Sequence, residues 1–118
     1  MHALLSPALA GRFFSTSVAV REKIMRQPLL NWSFEDEARR LSVSYSHFRR
    51  LFREVAGCAP NQFLIEARLS YAERLLENGV LPVAEVARRC GFNDEFYFSR
   101  LFKKHRMISP SAVRNMGI

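Results

Sequence analysis

Cysteine is scarce in this 118-residue chain: there are two, Cys58 and Cys90, with neither CxxC spacing nor a neighbouring pair of histidines. That excludes a zinc finger or ribbon, which needs closely set ligands, and makes free thiols the expectation rather than a disulfide. Glycine and proline number five each, too few for a loop-rich or low-complexity chain. There is no glycine-rich phosphate loop, and His2, His47 and His105 lack an evident nucleophile or acid partner, so neither an enzyme nor a cofactor or metal site is expected. No apolar run approaches the ~20 residues of a membrane span. The first 19 residues lack acidic side chains, a composition shared by organelle transit peptides and by linkers or cut ends; the linker or tail is the expectation for 1–19.

What is present is positive charge and periodic apolar residues. Eighteen Lys and Arg face eleven Asp and Glu, a formal net charge of +7 and a pI of about 10.3. A small basic domain suggests a polyanion partner, nucleic acid ahead of an anionic membrane surface. A hydrophobic fraction of 48% suffices for a core in one domain, or in two very small ones sharing a helix. The spacing predicts an all-α chain. A first helix runs from Val18 to Gln27, with Val20 and Ile24, and Met25 as the next candidate, facing inward; Pro28 ends it. Ser33 caps a helix through Leu41, and the Ser42-Val43-Ser44 turn leads to YSHFRRLFREV, closed by Gly57. Pro60 opens a long helix to Asn78 with Phe63, Leu64, Ala67, Tyr71, Ala72, Leu75 and Leu76 at 3–4 spacing. Pro82 opens VAEVARRC, Asn93 or Asp94 caps EFYFSRLFKKH, and Pro110 opens a last short helix.

The informative feature is an internal repeat. Ala38-Arg39-Arg40 recurs as Ala87-Arg88-Arg89, an offset of 49 (87 − 38). Phe48-x-Arg50-Leu51-Phe52 recurs as Phe98-x-Arg100-Leu101-Phe102, and Pro60 as Pro110, an offset of 50 (98 − 48). The slip of one residue falls in the turn, where insertions are tolerated. Each copy has the marks of a helix-turn-helix: a small residue, Ala38 or Ala87, where two helices cross closely, a short connection, and a second helix with an apolar face (Phe48, Leu51, Phe52, Val55; then Phe98, Leu101, Phe102). The opposite faces carry Ser46, His47, Arg49, Arg50 and Arg53 in one copy and Glu95, Phe96, Ser99, Arg100, Lys103 and Lys104 in the other. A helix anchored by an apolar stripe and backed by Arg and Lys is equipped to lie in a major groove. Two amphipathic hairpins with merely solvated basic faces give the same pattern singly; the repetition favours DNA.

Residues 87–104, ARRCGFNDEFYFSRLFKK, followed by Ser109-Pro110, resemble the signature of the AraC/XylS class of bacterial transcription regulators, A-x-x-x-G-F-x-D/S-x-x-Y-F-x-R-x-F-K-K, in its C-terminal DNA-binding region. Agreement extends over residues 20 to 115, with Ala38, Leu41, Ser44, Phe48, Arg50, Phe52, Gly57 and Pro60 in the first copy and Ala67-Arg68-Leu69, Ala72 and Leu75-Leu76 in a linker helix. The resemblance implies two helix-turn-helix subdomains (20–59 and 79–118) joined by a linker helix (60–78), binding double-stranded DNA in the bacterial cytoplasm, on the nucleoid, with RNA polymerase as a further partner. It leaves no room for a separate effector-binding domain, hence no small-molecule site, and leaves open whether the chain stands alone or is a piece of a longer regulator. The base-contacting candidates are Ser46, His47, Arg49 and Arg50, then Glu95, Phe96, Ser99 and Arg100. Arg50 is the strongest, as a bidentate partner for guanine. Phosphate candidates are Arg53, Lys103, Lys104 and Arg106, with the helix starts at Ser44 and Asn93 offering backbone N–H groups. Phe96, if exposed, is placed to contact a thymine methyl, with packing as the alternative; Tyr97 either faces inward or touches phosphate. Arg39, Arg40, Arg88 and Arg89, on the first helices, either reach the DNA backbone or are solvated or ion-paired, and Arg68 has a structural pairing with an acidic neighbour such as Glu66 or Glu73, or with helix-end carbonyls. Three places depart from the family. Arg106 stands where an aromatic is usual and Met107 where glycine is, so a reshaped end of the last long helix is expected. Phe96 stands where a polar residue is common, beside Glu95, which would repel phosphate but can accept from cytosine N4, so the base preference of the second half-site is left open. A protein-interaction module, or a remnant that no longer binds DNA, is the other class considered.

Overall fold

The computed structural model describes the backbone of residues 7–116 and side chains from residue 16 onward. Its elements are all helices: α1 (Pro7–Arg26), α2 (Phe34–Arg40), α3 (Tyr45–Ala56), α4 (Pro60–Asn78), α5 (Val83–Arg89), α6 (Glu95–Arg106) and α7 (Pro110–Met116). The chain divides into two compact units, residues 1–64 and 65–118.

In the first unit α1 begins at Pro7 rather than at the expected Val18. Proline suits the first helical position, where its missing N–H has no intrahelical partner to lose, and Ala8, Leu9 and Ala10 are good helix formers. The expected tail is therefore helical from Pro7; its first six residues lie outside the described ones. Val20 and Ile24 are buried where α1 packs on α3. Met25, expected to face inward, is 63% exposed: it follows Ile24 by one position, about 100° around the helix, and so leaves the buried stripe.

Ser33 caps α2, its hydroxyl accepting from Asp36 N–H at 3.4 Å. After α2, Ser42 turns the chain with φ 56°, and Val43 N–H returns to the Ala38 carbonyl at 3.1 Å. Ser44 then caps α3 by accepting from His47 N–H at 3.1 Å. Gly57, at φ 83°, ends α3 with its N–H on the Arg53 carbonyl. The core is a relay of rings, Trp32, Phe34, Phe48, Phe52 and Phe63, with successive centroids 5.8, 6.2, 6.0 and 5.6 Å apart. Burying Phe34, Phe48 and Phe52 contributes roughly 1.5–3 kcal/mol each.

The second unit repeats the design on a different base. Leu69, Ala72 and Leu76 of α4 are fully buried with Val86, Ala87, Cys90, Phe92, Phe98 and Phe102. Most of the helix expected as a linker is thus part of this core, and only its first turn, through Leu64, belongs to the first unit. Gly91 (φ 88°) makes the turn, and Phe92 N–H bonds the Ala87 carbonyl at 3.0 Å, matching Val43 on Ala38. Cys58 is half-buried, Cys90 is buried, and both thiols are free; burial pushes the Cys90 thiol up to about 11, partly offset by the nearby Arg68. The reshaping expected at the end of α6 does not occur. Met107 takes the left-handed conformation, φ 64°, and its N–H bonds the Lys103 carbonyl, as Gly57 does in the first unit. A Cβ makes that conformation costly by roughly 1–2 kcal/mol, and the hydrogen-bonded cap retains it.

Candidate nucleic-acid interface

With Phe48 and Phe52 fixed in the core, helical geometry decides what α3 presents outward. Ser46, Arg49, Arg50 and Arg53 fall at i, i+3, i+4 and i+7, so they share one face. All four are exposed, and together they line one open hollow. His47 is half-buried at the edge of this face, its N–H tied to the Ser44 cap.

The corresponding positions of α6 are Phe96, Ser99, Arg100 and Lys103. Arg100 and Lys103 are exposed and Ser99 is half-buried. Phe96, for which packing was the alternative, is 75% exposed. Glu95 and Lys104 are exposed and flank the face. Tyr97, for which an inward position and a phosphate contact were the two readings, is 45% exposed, with its ring 6.4 Å from that of Phe92. Its offset of 50 from His47 (97 − 47) was the signal available in the sequence.

Two phosphate candidates are corrected. Arg106 is not on the outward face: its Nε donates to Glu73 at 2.8 Å and its Nη2 to the Ser70 hydroxyl at 3.0 Å, while Nη1 lies 2.6 Å from Glu66. Its side chain is only 17% exposed, so it is engaged on α4. Asn93 does not start α6. The cap is Asp94, whose Oδ1 accepts from Phe96 N–H at 2.8 Å and Tyr97 N–H at 3.4 Å. A carboxylate there occupies amides that a phosphate would use and opposes it in charge. Ser44, on α3, caps with a neutral hydroxyl.

The arginines of the first helices are ion-paired. Arg39 binds Asp36, Arg40 binds Glu37 at 2.5 Å, and Arg88 and Arg89 share Glu85. Hydrogen bonds from Arg88 and then Arg89 hold the Glu85 carboxyl below its usual range. Arg106 pairs with Glu66 and Glu73, and His105 with Glu66. The Arg68 guanidinium lies over Gly91, so close that a Cβ at Gly91 would be 3.1 Å from Cζ. Burial lowers the Arg68 pKa, and Cys90 works against that shift. Among the described residues no helix is long and apolar enough to cross a membrane, and no three His, Cys, Asp or Glu side chains gather as metal ligands would.

The family model described as "Helix-turn-helix domain" matches residues 38–116. The chain is 37% identical over 84 residues to the arabinose operon regulatory protein of Escherichia coli K12, a match covering 71% of this chain and 29% of that protein. The chain belongs to the AraC/XylS-type helix-turn-helix family. Its fold is that of the family's solved members. The DNA-binding domain of AdpA, a global transcriptional factor solved in complex with a target DNA, is 34% identical with a TM-score of 0.73, covering 87% of this chain and 90% of that one. A Chromobacterium violaceum regulator described as AraC-type is 25% identical, also with a TM-score of 0.73, covering 92% and 95%. The chain spans about a quarter to a little over a third of the length of the curated relatives it matches.

Proposed function

We propose that this AraC/XylS-type chain binds duplex DNA sequence-specifically as part of a bacterial transcription regulator, with α3 and α6 entering successive major grooves about 34 Å apart. One observation carries the reading: the same helix face recurs in both units, with Arg50 and Arg100 exposed at matching positions above paired, fully buried phenylalanines. The DNA-bound AdpA relative supports duplex DNA as the ligand. Base edges are met by Ser46, His47, Arg49 and Arg50 in one groove and by Glu95, Phe96, Ser99 and Arg100 in the other. Arg53, Lys103 and Lys104 lie against phosphates, and the α3 start at Ser44 offers turn amides to one more. RNA polymerase is the natural second partner of a regulator so built, on the cytoplasmic nucleoid. The chain's role is binding rather than catalysis.

Duplexes selected from a random pool test this in gel shifts. Arg50→Ala and Arg100→Ala each cost about 1–3 kcal/mol and relax preference at one base position, in different half-sites. Equal loss on selected and random duplex overturns the base-reading role, and absence of binding to any duplex at moderate salt favours the protein-interaction alternative.

A further inference from the structure

Resting on the DNA-binding reading, one position gives the second recognition face an apolar ring where the first has a hydroxyl. Ser46 of α3 corresponds to Phe96 of α6. The Phe96 ring is 75% exposed, whereas the phenylalanines that follow it at 98 and 102 are fully buried. Asp94 fixes Phe96 at the start of α6 by accepting its N–H at 2.8 Å. Phe96 shares its helix face with Ser99, Arg100 and Lys103, and Lys103 and Lys104 follow in the last turn. An apolar group exposed on a cationic face calls for a ligand that is polyanionic and carries an apolar group of its own. In duplex DNA that group is the 5-methyl of thymine, displayed in the major groove; a purely apolar protein surface would leave the surrounding cations unpaired.

We infer that Phe96 reads a thymine methyl, so that the half-site under α6 requires a thymine while the half-site under α3, faced by Ser46 and three arginines, is selected through hydrogen bonds to base edges. Recognition under α6 depends partly on dispersion and desolvation, and under α3 on polar groups alone.

Replacing each thymine of a selected duplex in turn by deoxyuridine removes that one methyl and leaves base pairing intact. The wild-type chain loses about fourfold in affinity, the worth of one buried methyl, at a thymine within two base pairs of the position that Arg100→Ala relaxes. Phe96→Ala binds the thymine and uracil duplexes equally at that position. Phe96→Ser, which gives α6 the residue of α3, behaves the same way. Because the ring is exposed, both variants keep the core intact, and an unchanged helical circular-dichroism signal checks this. A consensus without such a thymine, a uracil effect that persists in Phe96→Ala, or Phe96→Ala binding every duplex as the wild type does overturns the inference while leaving the DNA-binding reading standing. A selection that yields no consensus defeats both.

Discussion

The two helix-turn-helix units solve the same backbone problem with glycine in opposite places. Each needs a left-handed residue in its turn and another at the end of its second helix. The first unit uses Ser42 and Gly57, the second Gly91 and Met107. The difference separates two reasons for glycine. At Gly57 an added Cβ would meet nothing within 4 Å, so only the dihedral favours glycine, and Met107 demonstrates that another residue holds the same conformation. At Gly91 the Arg68 guanidinium fills the space a Cβ would need, so glycine there serves both the dihedral and a packed neighbour. The Arg68 and Arg106 contacts brace the second unit's turn and recognition helix against α4.

The sharpest way to break this comparison is Gly91→Ala against Gly57→Ala. The expected losses in denaturant-unfolding free energy are about 2 and about 1 kcal/mol. In an Arg68→Ala background the Gly91 penalty falls to that of Gly57. Equal penalties with Arg68 present would remove the second reason. Next in size is Arg106→Ala, expected to cost about 1–2 kcal/mol of stability through its carboxylate partners while leaving the salt dependence of DNA binding unchanged; a lowered salt slope would restore its phosphate role. Met107→Gly should stabilise by about 1 kcal/mol, read as a rise in melting temperature. The smallest effect is Lys103→Ala, which should weaken selected and random duplexes alike and lower the salt slope by about 1.

The repeat at offsets of 49 and 50 made the helices, their turns and both outward faces legible, because burial of Phe48 and Phe52, or Phe98 and Phe102, leaves the rest of a helical face no freedom. For Arg39, Arg40, Arg88 and Arg89 ion pairing was one alternative beside solvation and a DNA-backbone contact; the three- and four-residue spacings that put their charges beside Asp36, Glu37 and Glu85 were the signal that decides it. Arg106 was not. Its carboxylate partners lie 33 residues or more away in sequence, and nothing local distinguishes it from Lys103. Asn93 and Asp94 are equally good caps by residue type, and only the φ and ψ of Asp94 separate them. Leu69 escaped the apolar count of α4 although it is fully buried, because its neighbours Arg68 and Ser70 break the run. Met107 was misjudged in the other direction: the loss of glycine was legible, but not the capacity of the Lys103 cap bond to hold the conformation.

Missing-nucleoside footprinting on a selected duplex tests most directly whether two faces read one DNA. It should give two clusters of required bases on one side of the duplex, centred about 10 base pairs apart, with Arg50→Ala erasing positions in one and Arg100→Ala in the other. A single cluster, or two arginine variants that erase positions in the same cluster, would contradict the account.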